Sequence, residues 1–151
     1  MRTIRFKGKR PENGEWVYGS FYEDGDVAYM FGHCLDESLA KNVAFSVDPD
    51  TVCQYTDFLD KNGKEIYEGD ILRSDEYPFS NMEDDARDNY FGIIEWSDEE
   101  AMFLLTCVKN PKAAVRGISD GISDEITQQK LDDFEIVGDI HDQEWKSKLN
   151  L

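Results

Sequence analysis

Long apolar runs are absent from this 151-residue chain, and no segment has the roughly 18 consecutive apolar residues that a membrane-crossing helix requires. The first ten residues, MRTIRFKGKR, are basic but lead into no apolar stretch, so they do not read as a secretory signal. A soluble, cytoplasmic protein with no membrane partner is the expectation. Cysteine is scarce too: Cys34, Cys53 and Cys107 are odd in number, far apart and without a CxxC pair. That excludes a disulfide framework and favours reduced thiols. The two histidines, His33 and His141, lack the spacing of a zinc site and read as turn or surface residues. Nucleophile elbow, phosphate loop and dinucleotide fingerprint are all missing, so no residue is assigned a catalytic, cofactor-binding or metal role, and no cofactor is expected.

Positive charge is the largest deficit. Sixteen Lys and Arg face thirty-three Asp and Glu, a net charge of −17. Five of those bases, Arg2, Arg5, Lys7, Lys9 and Arg10, fall in the first ten residues, which leaves −22 over the remainder. Such a surface repels a phosphate backbone, so nucleic acid is not an expected partner. The basic first segment is the candidate interaction surface, complementary to the acidic rest of the chain. Acid pairs such as Asp84-Asp85, Glu99-Glu100 and Asp132-Asp133 are what this composition yields by itself, and they read as solvated surface.

What is present is a succession of short alternating runs between turns, the signature of β-strands. Ile4 and Phe6 alternate with Arg5 and Lys7, and Asn13-Gly14 gives a hairpin signal. Trp16, Tyr18 and Tyr22 share a face of the next strand, with Val17 and Phe21 on the other. Val27, Tyr29 and Phe31 follow the turn at residues 23–26, and Val43, Phe45 and Val47 alternate again up to Asp48-Pro49-Asp50. The aromatics Trp16, Tyr18, Tyr22 and Tyr29 are expected in the core, an exposed aromatic platform being the other reading. Residues 32–42 read as a loop or short helix. Further strands are expected at Ile71-Leu72, Tyr90–Trp96, Ala101–Val108 and Phe134–Val137, the middle two central in their sheet. An acidic loop is expected over 74–89 and a helix over Asp124–Leu131, after the tandem GISDGISD at 117–124. Asp142 is a cap for a last short helix.

The stretch DKNGKEIYEGDILR, residues 60–73, has the look of a calcium loop. With Gly63 at position 6 of an EF-hand, however, Phe58 takes position 1 and Gly69 position 12, so the first ligand and the bidentate Glu are both missing. The stretch reads better as two turns, with Asn62-Gly63 as a type I′ pair and Glu68-Gly69-Asp70 as the lead into a strand. Gly25-Asp26-Val27 and Gly138-Asp139-Ile140 repeat that Gly-Asp device, each expected to open a strand.

Four segments together resemble one family: IRFKGKR with NGEWVYGS, TVCQYTDFLDKNGKEIYEGDIL, GIIEW and FEIVGDI. They are similar to the YopX-like proteins of phages and prophages. Members usually carry glycine where this chain has Cys53 and Asp57, and commonly asparagine where it has Asp139. The resemblance implies a compact β-rich fold with an SH3-like C-terminal part, and it brings no catalytic residue.

The expected fold is therefore all-β or β-dominated. An N-terminal antiparallel meander over 1–52 precedes an SH3-like small barrel over 53–151, unless the two form one continuous unit. The expected function is that of a non-enzymatic phage or prophage accessory protein in the bacterial host cytoplasm, a self-associating protein-interaction module. Its partners would be further copies of itself or a host or phage protein. Two alternatives stand beside it: an acidic DNA mimic that inhibits a host nucleic-acid-binding protein, and a carboxylate metal-dependent enzyme acting on nucleotides or nucleic acid.

Overall fold

A computed structural model describes residues 1–34, 43–75, 90–109 and 121–151 of the chain. Among these residues there are eleven strands, a single 3₁₀ turn and two short helices. The strands form two antiparallel sheets, so the all-β expectation holds. The expected loop at 74–89 and the GISDGISD repeat lie for the most part outside the described residues. The chain divides into two compact units, Met1–Asp57 and Phe58–Leu151. The division falls inside a strand, five residues after the 52/53 boundary read from the sequence.

The first unit is a meander. β1 (Phe6–Lys9), β2 (Trp16–Asp24), β3 (Val27–Cys34), β4 (Val43–Ser46) and β5 (Cys53–Leu59) lie in the order β4-β3-β2-β1-β5, each pair antiparallel. β3 runs to Cys34, into the segment expected to be a loop. Asn13-Gly14 lies in the β1–β2 loop, closed by Gly14 N–H donating to Arg10 O and Arg10 N–H donating to Glu15 O, both at 2.9 Å. Val17, Ala28, Met30, Phe45 and Val47 make the core, with Phe6 and Phe21 in tilted ring contact at its margin, centroids 5.9 Å apart. On β3, Ala28 and Met30 therefore face inward, while Val27, Tyr29 and Phe31 face out. Tyr22 and Tyr29, expected in the core, are exposed, and Trp16 and Tyr18 are half-buried. β3 is apolar on both faces, so alternation alone does not say which face is inner. The bulky Met30 and the small Ala28 fit over Val17 and Phe45, whereas Tyr29 keeps its hydroxyl end in water.

The second unit begins as β5 leaves Phe58 and Leu59 and turns back at 60–64 into β6 (Glu65–Tyr67). Its five-stranded sheet has the order β10-β9-β8-β7-β11, from β7 (Asp70–Ser74), β8 (Tyr90–Ser97), β9 (Met102–Lys109), β10 (Ser123–Glu125) and β11 (Glu135–Asp139). The first four form a meander, and the last returns to the free edge of the first, the strand order of a small SH3-like barrel. β8 and β9 are interior, as their two-sided apolar runs imply. The helix expected over 124–131 occupies only its second half, α1 (Gln128–Leu131), where Thr127 Oγ1 accepts from Lys130 N–H at 3.2 Å. Ser123–Glu125 instead pair with Thr106–Leu104, where ladder hydrogen bonds outweigh the weak helix propensity of a segment that follows directly on two glycines.

Both faces of this sheet are covered. On one, Ile66, Leu72, Tyr90, Ile94, Phe103, Leu105, Leu131 and Phe134 form the main core. On the other lies α2 (Gln143–Leu149), capped by Asp142, whose Oδ1 accepts from Glu144 N–H at 2.9 Å. Its Leu149 and Trp145 pack on Ile71, Ile93 and Phe91. Trp145 packs against Gly138, where a side chain would collide with the indole.

Candidate functional site

The residues singled out from the sequence fall into three groups. The first is the set of Gly-Asp turns, and its carboxylates are engaged with backbone. Asp60 is buried, and its Oδ1 accepts from Asn62 N–H (2.8 Å) and Lys64 N–H (2.9 Å) while Oδ2 accepts from Ile136 N–H (3.1 Å). Only Gly63 of the Asn62-Gly63 pair takes a left-handed backbone, φ +77°. Asp60 N–H donates to Lys64 O, and Gly63 N–H to Asp60 O. This is a three-residue loop with a glycine bulge, not the expected type I′ pair, because Asp60 supplies acceptors that hold Asn62 in an ordinary conformation.

Asp70, also buried, opens β7, and its Oδ2 accepts from Tyr67 N–H at 2.8 Å, closing the Glu68-Gly69 turn. Gly138 and Asp139 are the last two residues of β11, so this copy of the motif leaves a strand where the sequence reading had it open one. The two copies pair with each other: Asp139 stands opposite Asp70, Gly138 opposite Ile71, and Ile140 N–H donates to Gly69 O at 2.9 Å. Asp139 Oδ1 accepts from His141 N–H at 2.7 Å. Among the described residues no three His, Cys, Asp or Glu side chains converge as they would around a metal ion.

The second group is the basic first segment. Four of its five cations lie over aromatic rings: Arg5 is 5.6 Å from the centre of Tyr55, Lys7 and Lys9 are 4.6 and 4.9 Å from Trp16, and Arg10 is 5.3 Å from Phe45. Arg10 also pairs with Glu12 (2.8 Å) and Glu15 (3.7 Å), and Lys7 is buried. Each such stack is worth about 0.5–2 kcal/mol, the larger value when the cation is desolvated. These four therefore serve the first unit's own packing, and Arg2 is left exposed ahead of β1.

The third group is aromatic. On the outer face of β2, β3 and β4, Tyr22 stands opposite Tyr29, and Phe31 lies between Ser20 and Ala44. Tyr22, Tyr29 and Phe31 are 53%, 37% and 52% exposed, and with Ala44 they line a shallow apolar hollow of about 350 Å³. Phe31 reads from the sequence only as a strand residue and Ala44 carries no signal at all, since an apolar residue in a strand reads as core by default.

A cleft of about 380 Å³ was likewise not foreseen. It is bounded by Glu68 and Gly69, by Ile93 to Trp96 of β8, and by Ile140. A signal for it existed: the segments EIYEGDIL, GIIEW and FEIVGDI, which are remote in sequence, meet at its walls.

No helix among the described residues is long and apolar enough to cross a membrane. Among solved structures, the chain is similar to protein EF1440 from Enterococcus faecalis, known from a crystal structure. The match has 17% identity and a TM-score of 0.51, and it covers 93% of this chain and 95% of that one. At that identity the likeness speaks for the fold alone. No protein of curated function matches. The sequence model of the YopX protein family matches residues 5–144, nearly the whole length, and the chain belongs to that family.

Proposed function

We propose that this chain is a non-enzymatic phage or prophage accessory protein that works in the host cytoplasm as a self-associating protein-interaction module. The observation that carries this reading is the uncovered aromatic face of β2, β3 and β4. Three exposed aromatic rings from two neighbouring strands are unusual on a surface that is otherwise strongly charged. Tyr and Phe supply much contact area at little entropic cost, which is why protein interfaces are enriched in them. Two copies each carrying −17 repel through most of their surface. They can meet only where charge is absent or complementary, and Tyr22, Tyr29, Phe31 and Ala44 form such an uncharged surface. Beside it β4 is an edge strand among the described residues, and its sequence VAFS contains none of the charges or prolines that keep edges apart.

Sedimentation velocity at physiological salt tests the reading. The expected result is concentration-dependent association that Phe31→Asp weakens by about thirtyfold, the loss typical of a central aromatic contact. A wild-type chain that stays monomeric at every attainable concentration would end it.

A further inference from the structure

The ladder between β3 and β4 decides which backbone groups of β4 are in use. Val47 N–H donates to Ala28 O at 3.0 Å, and these two residues continue the register in which Tyr29 faces Ser46 and Met30 faces Phe45. Antiparallel pairs alternate between bonded and non-bonded. Phe45 and Val43 therefore bond to Met30 and Gly32, while Ala44 and Ser46 turn their N–H and C=O groups away from β3. Among the described residues no further strand pairs with β4, so these groups lie along an open edge.

Side chains alternate with the backbone. Ala44 and Ser46 are exposed on the outer face, and Phe45 and Val47 are buried on the inner one. Val43, also inner by alternation, stays 40% exposed at the rim.

This edge is complementary to itself. An antiparallel copy centred on Phe45 sets Ala44 opposite Ser46 of the second copy, Ser46 opposite its Ala44, and Val43 opposite its Val47. Each of the two Ala44–Ser46 pairs exchanges two hydrogen bonds, which uses every outward group of both residues. The exposed Val43 gains a buried neighbour, and none of residues 43–47 brings a charge between two chains of −17 each. A shift by one residue would set Ala44 against Phe45, whose groups are spent on β3. A centre at Ser46 would place Asp48 and Pro49 in the ladder, a carboxylate and a residue without an N–H.

We propose that β4 pairs antiparallel with β4 of a second copy, centred on Phe45, so that the first sheets of two chains join edge to edge. This rests on the reading that copies associate, and it names the seam. Across it, on the outer face, Phe31 and Ala44 are followed by Ser46 and Tyr29 of the second copy. Two rings thus flank a pair of small residues, and the aromatic hollow of one copy runs into that of the other.

Proline tests the backbone bonds. Ser46→Pro removes an outward N–H and no bond to β3, at an edge position where proline is tolerated. Its far-ultraviolet circular dichroism and thermal midpoint should match the wild type, while self-association in sedimentation velocity weakens tenfold or more. Unchanged association of the folded variant would overturn the edge pairing and leave self-association standing.

The register has its own readout, independent of the proline variant. Opposed residues of a bonded pair lie about 5.5 Å apart between Cα atoms, within disulfide reach. Two copies of residue 44 are offset by about 7 Å along the strands and are not. Full-length Ala44→Cys and Ser46→Cys chains, mixed in equal amounts and oxidised with oxidised glutathione, should give a 44–46 bridge between chains, identified by mass of the linked peptides. Neither variant alone should give a 44–44 or 46–46 bridge. Self-linked chains, or no 44–46 bridge in a mixture that associates, would overturn the proposal.

Discussion

Replacing Gly138 with alanine puts one methyl group under the Trp145 indole. The added Cβ would stand 2.2 Å from Trp145 Cδ1 and 2.6 Å from Nε1, well inside the roughly 3.5–4.0 Å at which carbon atoms pack. An indole is rigid, so the ring must lift off the strand as a body. In lifting, it loses its contact with Phe91, now at 5.8 Å between centroids, and loosens α2 over Ile71 and Ile93.

Overpacking typically costs about 1–3 kcal/mol, and complete removal of a buried Trp about 3–5 kcal/mol. Trp145 is half-buried, which places the expected loss for Gly138→Ala at about 2–3 kcal/mol. Urea unfolding followed by tryptophan fluorescence and far-ultraviolet circular dichroism measures it, as a midpoint lower by about 1 M or more. The decisive comparison uses a Trp145→Ala background, in which the methyl has nothing to strike. There Gly138→Ala should cost no more than about 0.5 kcal/mol, because the two effects are coupled through one contact. An equal cost in both backgrounds would refute the steric argument and point to the backbone of β11 instead.

Changes at two further positions test the local backbone, one in the turn at 60–64 and one within β5. Asp60→Ala removes the acceptor of three backbone N–H groups and should cost about 3 kcal/mol in equilibrium denaturation, with Asp60→Asn losing about half of that. Amide exchange should accelerate first at Asn62, Lys64 and Ile136, which are the groups left unpaired. Asp57 has a left-handed backbone, φ +71°, and is exposed. Asp57→Gly should therefore raise the thermal midpoint, a gain of up to about 1 kcal/mol, whereas Asp57→Val should lower it. The opposite order would show that the backbone at this position is not strained.

Turns were legible in the sequence at the level of place, less so at the level of geometry. Asn13-Gly14 and Asn62-Gly63 do mark loops between paired strands, but neither asparagine adopts positive φ. The hydrogen bonds that decide the matter come from Asp60 and Arg10, residues outside the dipeptides. Asp57 is a case in which the family comparison was informative in physical terms, since glycine is what a left-handed position favours. The strands of the second unit were readable because their apolar runs are long, and the return of β11 to β7 was not, because nothing local encodes which edge a strand will join.

Of the two candidate surfaces, the aromatic face was half legible. Tyr22 and Tyr29 had been noted, but their exposure depends on which face of β3 turns inward, and the pattern VAYMF fits either choice. The cleft depends on three segments that become neighbours only when the sheet is assembled, so no spacing rule in the sequence points to it.

The antiparallel match of the two Gly-Asp-Ile segments also bears on how the chain reaches its native state. Asp60 and Ile136, joined by a hydrogen bond, are 76 positions apart, whereas β2 and β3 are joined by the two residues Gly25-Asp26. Closing a long loop must precede any reward from the contact it creates, so the hairpins of the first unit are expected to form early and β11 to dock late. During synthesis β7 lacks one of its two partner strands until β11 has emerged, and Ile66 and Leu72 wait with it as unsealed apolar surface. Substitutions along β11 should then speed unfolding and leave the folding rate nearly unchanged, with φ-values close to zero in that strand and higher ones at the β2–β3 turn.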